Sequence, residues 1–76
     1  MTLTHENLAR IVKWHRKKAH ISQQVLADMA GVSRTAIQRL EDGIFKIQLD
    51  TLLKVFKILN LSLELSSPLL KELKDE

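Results

Sequence analysis

The segment from Gln23 to Asp42, QQVLADMAGVSRTAIQRLED, constrains the fold more than any other part of the chain. Leu26 and Ala27 share one face of a first helix, and the small Ala27 lets a partner helix approach closely. Gly31 follows the last turn of that helix, where a left-handed residue is common and glycine adopts it without steric cost. Ser33 then supplies a side-chain oxygen that caps a second helix. The pattern predicts two short helices joined by a tight turn.

The second of these helices has one apolar face and one polar face. Ile37 and Leu40 lie three residues apart and point inward. The outward side chains are polar hydrogen-bonding groups: Arg34, Thr35, Gln38 and Arg39. Arginine suits guanine O6 and N7, and glutamine suits adenine N6 and N7. A merely solvated face is the simpler interpretation, but the flanking helix-turn-helix pattern favours readout of DNA bases, with Arg39 as a phosphate contact.

The motif resembles the Cro/cI-type (XRE-like) helix-turn-helix family, whose signature runs S-Q-x-x-L-A-x-x-A-G-V-S-x-x-x-I-x-x-L-E-x-G. The chain matches it at Ser22, Gln23, Leu26, Ala27, Ala30, Gly31, Val32, Ser33, Ile37, Leu40, Glu41 and Gly43. The resemblance implies a mainly all-α, lambda-repressor-like bundle of four to five helices. It also implies a phosphate contact from Gln23 and a partly buried ion pair between Arg16 and Glu41. Ser33 is a further candidate for base readout. Lys46, which follows the second motif helix, is a candidate phosphate contact, with a merely solvated loop lysine as the alternative.

Periodicity places the remaining elements around this motif. A first helix is predicted over residues 5–19, the two motif helices over 23–30 and 34–42, and a fourth helix capped by Asp50. The apolar face of the fourth helix comprises Leu52, Leu53, Val55, Phe56 and Leu59, and Asn60 ends it in the left-handed region.

The C-terminal segment changes to a period of two. Leu61, Leu63 and Leu65 alternate with polar residues, which indicates a half-buried strand. Ser67 and Pro68 then resemble the start of a short terminal helix. A lone strand leaves its backbone groups unpaired, so the same strand of a second copy is the expected partner, in an antiparallel pair about a two-fold axis.

This tail resembles the HipB-like antitoxins, whose C-terminal strands form a small intersubunit sheet and which are the DNA-binding partners of HipA-like kinases. We therefore divide the single domain into a DNA-binding part, residues 1–60, and a dimerisation segment, residues 61–76. The first part has a net charge of +5 and the second −2, within a total of +3. A basic body suits the phosphate backbone of DNA.

Composition narrows the remaining possibilities. The 76 residues contain no cysteine, no apolar run near the ~20 residues of a transmembrane helix, and no signal-peptide pattern, so a cytoplasmic protein is expected. A chain this short buries only about 60% of its unfolded surface, which favours oligomerisation. His5, His15 and His20 lack the spacing of a metal site, and His15 is interpreted as a packed, hydrogen-bonded residue. No catalytic motif or cofactor signature is visible.

Ile11 and Trp14 occupy positions where the family places polar residues. Packing against the C-terminal segment is the favoured interpretation, and an apolar patch for a protein partner is the alternative. The whole pattern predicts a homodimeric repressor of an inverted-repeat operator, HipB-like, partnered with a HipA-like kinase toxin. A free-standing phage-type or metabolic regulator is one alternative. A protein-interaction module that neutralises a toxin and binds DNA weakly is another.

Overall fold

A computed structural model describes residues 3–44 and 46–73 of the chain. These residues form four α-helices, α1 (His5–Lys18), α2 (Gln23–Ala30), α3 (Arg34–Glu41) and α4 (Leu49–Ile58), followed by one 3₁₀ turn, Leu70–Glu72. The all-α helix-turn-helix bundle predicted from the sequence is confirmed. No helix in the described part of the chain is long and apolar enough to cross a membrane.

One core joins the four helices. Its buried side chains come from the predicted inward faces: Leu8, Val12, Leu26, Ala27, Ile37, Leu40, Leu52, Val55, Phe56 and Leu59. α2 packs against both α3 and α4, and α1 packs against α3. This arrangement fixes α3 from two sides, so that its remaining face projects into solvent.

The ends of the first helix follow from local chemistry. Thr4 Oγ1 accepts a hydrogen bond from the backbone N–H of Asn7, at 3.1 Å, and so satisfies one donor of the first turn. α1 ends at Lys18, one residue before the predicted boundary. His20 then adopts the left-handed conformation, with φ +58°, which turns the chain towards α2. The side chain of Ala19 is exposed.

The predicted cap of α4 is wrong. The helix begins at Leu49, its N-cap residue is Gln48, and no side chain caps it. Asp50 instead accepts a hydrogen bond from the neighbouring Thr51 N–H from within the first turn, at 2.9 Å. Leu53 is 45% exposed rather than buried. Asn60 does adopt the predicted left-handed conformation, with φ +58°.

The C-terminal segment differs from its prediction in a single chain. Residues 61–67 form no regular secondary structure, and only Leu61 packs partly against the core. The predicted strand needs a second copy to pair with, so it stays a prediction. Ser67 and Pro68 do not begin an α-helix, because only the short turn Leu70–Glu72 follows and Leu69 is its N-cap residue.

Candidate nucleic-acid interface

The turn between α2 and α3 is built from short-range interactions. Ser22 Oγ accepts a hydrogen bond from Val25 N at 3.1 Å at the start of α2. Gly31 ends that helix in the left-handed region, with φ +70° and ψ +34°. Ser33 Oγ accepts from Ala36 N at 3.1 Å and so starts α3. These contacts fix the exit from α2 and the entry to α3 within three residues.

The outer face of α3 consists of polar side chains. Ile37, Leu40 and Glu41 are buried, whereas the predicted reading residues are exposed: Arg34, Thr35, Gln38 and Arg39. With 3.6 residues per turn, Thr35 and Arg39 lie one turn apart at the middle of this face. Gln38 and Arg34 lie to one side of them. The face is therefore free to enter a groove of DNA without disturbing the core.

Ser33 lies at the end of this face. Its hydroxyl oxygen already accepts the hydrogen bond from Ala36 N, so it keeps its O–H as a donor. A base contact made by Ser33 would therefore be a donated hydrogen bond to an acceptor such as guanine or adenine N7.

A shallow groove of about 270 Å³ runs beside α3 towards the start of α4. Thr35 and Arg39 line one wall, and Lys46 lies with them. The start of α4 contributes Gln48 and Thr51, which sequence reasoning did not single out. Both are polar residues at the first turn of a helix, where unpaired backbone N–H groups favour an anion. Their position at the start of a predicted helix is the sequence signal that could have identified them as candidate phosphate contacts.

A buried ion pair fixes the end of α3 against α1. Arg16 Nε donates to Glu41 Oε2 at 2.6 Å, and a second guanidinium nitrogen donates to Glu41 Oε1 at 2.9 Å. The third nitrogen donates to the Ile21 carbonyl at 2.9 Å. The side chains are only 11% and 2% exposed, respectively. The structure thus brings together the two residues that the resemblance had paired, in the bidentate geometry that arginine provides.

The same carboxylate also holds Gln23. The Gln23 amide nitrogen donates to Glu41 Oε1 at 3.2 Å, so this side chain belongs to the network that orients α3. The pKa of Arg16 is raised above its ordinary value because its hydrogen bond to Glu41 outweighs desolvation, which lowers the pKa. The Gln23 amide keeps a second N–H donor, so the phosphate contact expected of this residue stays a prediction.

Comparisons with known proteins agree with this geometry. A helix-turn-helix family model matches residues 12–66, which is more than half of the chain. The chain belongs to the helix-turn-helix family. The family resemblance predicted from the motif is thus confirmed. No curated protein matches the chain significantly.

Solved structures extend the match beyond the motif. A chain in a HipA–HipB–O2–O3 complex superposes with a TM-score of 0.77 at 25% identity, covering 90% of this chain and 96% of that chain. A complex of a HipB variant with an O2 20mer gives the same TM-score and identity, with coverage of 90% and 94%. The resemblance to HipB-like proteins is confirmed at the level of the fold over most of the chain.

Two predicted sites lie away from the α3 face. Ile11 is half-buried and Trp14 is 56% exposed on the outer side of α1. Leu63 and Leu65 are exposed in the C-terminal segment. Among the described residues, the hollow beside Trp14 is lined by α1 side chains alone, and packing against the C-terminal segment stays a prediction. His15 is half-buried, and its Nδ1 lies 2.7 Å from the Ile11 carbonyl oxygen.

Proposed function

We propose that this helix-turn-helix protein is a HipB-like antitoxin that represses transcription by binding an inverted-repeat operator as a homodimer. The observation that carries the proposal is the solvent-exposed polar face of α3, held in place by the buried pair of Arg16 and Glu41. The similarity of 90% of the chain to HipB supports it, both in the HipA–HipB–O2–O3 complex and in the complex of a HipB variant with the O2 20mer.

Recognition would divide between bases and phosphates. Arg34, Thr35 and Gln38 reach base edges when α3 enters the major groove, and Ser33 donates from the end of the helix. Arg39 and Lys46, on the groove beside α3, meet the phosphate backbone. The net charge of +5 over residues 1–60 adds attraction that does not depend on base sequence.

Two half-sites require two copies of α3 at a fixed separation. In the proposed dimer, the segments containing Leu61, Leu63 and Leu65 pair about a two-fold axis. Half-site centres would then lie about 34 Å apart, one helical turn of DNA, or a multiple of that distance. The proposed role requires neither catalysis nor a cofactor, and its proposed location is the cytoplasm.

The biological partner separates the candidate functions. A HipA-like kinase encoded beside this chain, and copurifying with it, supports the antitoxin. A free-standing phage-type or metabolic regulator would bind its operator with no such neighbour. An interaction module that neutralises a toxin would bind the kinase but show no preference between its own upstream DNA and random DNA.

The direct test is selection of bound DNA from a random pool, followed by gel shifts at several salt concentrations. We expect an inverted repeat and a binding constant that falls steeply with salt. Gln38→Ala should cost about 1–3 kcal/mol and relax preference at one base position per half-site. Gln24→Ala is the matched control, because Gln24 is exposed on α2 and hydrogen-bonds only locally to Asp28.

Arg34→Ala should behave as Gln38→Ala does, with a loss at a different base position. Equal losses on the selected operator and on random DNA would mean that both side chains are phosphate contacts. Recovery of no common sequence from the pool would refute sequence-specific repression and leave the interaction module as the function.

A further inference from the structure

Trp14 points directly away from the core of its own chain. The buried residues of α1 are Leu8, Ala9 and Val12, and at 3.6 residues per turn Trp14 lies on the opposite side of the helix. Its side chain is 56% exposed. Beside it is an open hollow of about 170 Å³, whose floor includes Ile11. An engineered apolar cavity of about 150 Å³ holds one benzene, so this hollow has room for one branched aliphatic side chain.

Positive charge surrounds this indole. Lys18 Nζ lies 5.3 Å from the centre of the Trp14 ring, within the range of a cation–π contact. Arg10 lines the hollow, and Lys13 and Lys17 extend the same face of α1. We call this surface, from Arg10 to Lys18, the α1 basic face. Its occupant should therefore combine an aliphatic side chain with negative charge.

The C-terminal segment has that chemistry. Leu69, Leu70 and Leu73 are 70%, 42% and 74% exposed around the single 3₁₀ turn. Glu72 lies within the same turn beside Lys71. The net charge of −2 over residues 61–76 comes from four acidic side chains against two lysines: Glu64, Glu72, Asp75 and Glu76 against Lys71 and Lys74. The described residues extend 42 × 24 × 24 Å, with every residue of 62–73 exposed. The segment is thus an apolar, acidic arm with no core of its own.

We propose that the α1 basic face binds the C-terminal arm of a second copy of the chain, with a leucine from residues 69–73 in the hollow beside Trp14. Charge complementarity supports this occupant, because an acidic arm meets a basic face. Within the described part of the chain, the hollow is lined by α1 residues and by no residue of the chain's own arm. The inference rests on the proposed homodimer but not on DNA binding, so a failed gel shift leaves it intact.

The chain offers a direct optical test, because Trp14 is its single tryptophan and it has no tyrosine. In the full-length dimer, whose formation sedimentation verifies, we expect the fluorescence of Trp14 to be blue-shifted. Acrylamide should quench it several-fold less than it quenches a solvated indole. Replacing both Leu69 and Leu73 with serine should shift the emission to the red without unfolding the chain, because both are exposed. Leu3→Ser, at another exposed leucine, should leave the emission unchanged.

Charge reversals test the electrostatic part. Glu72→Lys should increase acrylamide quenching of Trp14, and the wild-type emission should move to the red as salt screens the contact. Lys71→Glu changes the neighbouring charge in the opposite direction and should not increase quenching. Equal effects of the two reversals would contradict docking onto a basic face.

Mixed dimers decide which copy supplies the arm. The chain with serine at positions 69 and 73 keeps Trp14, and a Trp14→Phe chain keeps an intact arm but contributes no tryptophan emission. The two are unfolded and refolded together, with the Trp14→Phe chain in excess. Recovery of blue-shifted emission supports docking between copies. Emission that stays red, or a wild-type dimer in which Trp14 is fully quenched, would overturn the proposal.

Discussion

Replacing Glu41 with alanine tests how α3 is held. The substitution removes a carboxylate that accepts two hydrogen bonds from Arg16, at 2.6 and 2.9 Å, and one from Gln23 at 3.2 Å. The Arg16 side chain, 11% exposed in the intact pair, would keep only the Ile21 carbonyl among its present acceptors. We therefore expect folding to be weakened substantially, because a charge is left in a site built around its partner.

The burial sets the magnitude. Removing one partner of a fully buried pair costs about 3–5 kcal/mol, and this pair is close to that limit. Because Arg16 keeps its hydrogen bond to the Ile21 carbonyl, we expect a loss of about 3 kcal/mol in the free energy of unfolding. A domain of this size has a free energy of unfolding of roughly 4–11 kcal/mol. The melting temperature should fall by roughly 12–24 °C, at about 4–8 °C per kcal/mol for a domain of this length.

The assay is urea and thermal unfolding followed by circular dichroism. Asp42→Ala is the matched control, because it removes the same charge at the next position, where the side chain is exposed. It should change stability by no more than about 0.5 kcal/mol. Combining Glu41→Ala with Arg16→Met should recover much of the loss, since no charge then stays buried. A loss below about 1 kcal/mol for Glu41→Ala would refute the reasoning.

Three further results are expected. Ser33→Ala should lower the free energy of unfolding by ~1 kcal/mol, because Ala36 N loses its cap; chemical denaturation measures this. Lys46→Ala should weaken binding uniformly across DNA sequences and reduce the salt slope by about 1, as measured by salt titration of a gel shift. Residues 1–60 should stay largely helical and sediment as a monomer at micromolar concentration with reduced operator affinity, and a stable dimer would place the interface on the helices.

The helix-turn-helix was predictable because its determinants are local. Ser22 and Ser33 each cap the helix that follows by accepting from the backbone N–H three residues on. Gly31 turns the backbone into a conformation that a side chain would strain. Each requirement appears in the sequence within one helical turn. The start of α4 was missed for a related reason. Asp50 is an attractive cap, but nothing local required a cap there, and the helix begins at Leu49 with none.

Residues that act across the fold were harder to predict. The resemblance predicted a phosphate contact for Gln23, which stays a prediction, but it did not predict that its amide also bonds to Glu41, 18 residues away. That contact depends on how α1, α2 and the end of α3 cross, which periodicity does not contain. Trp14 presented the opposite difficulty. The sequence offered packing against the C-terminal segment or an apolar patch for a partner, and in the single chain the helix directs Trp14 into solvent among lysines.

The C-terminal arm leaves large apolar side chains exposed in a single chain. Leu65, Leu69 and Leu73 are 83%, 70% and 74% exposed in one copy. Fully burying a leucine contributes about 1.5–3 kcal/mol. Burial of these three side chains would therefore add a stabilisation that is large for so small a domain. The period of two over residues 61–65 is what we expect of the proposed interface, in which each strand needs a second edge to pair with. The alternating leucines and the basic face of α1 become interpretable together once the dimer, rather than the chain, is taken as the unit whose apolar surface must be buried.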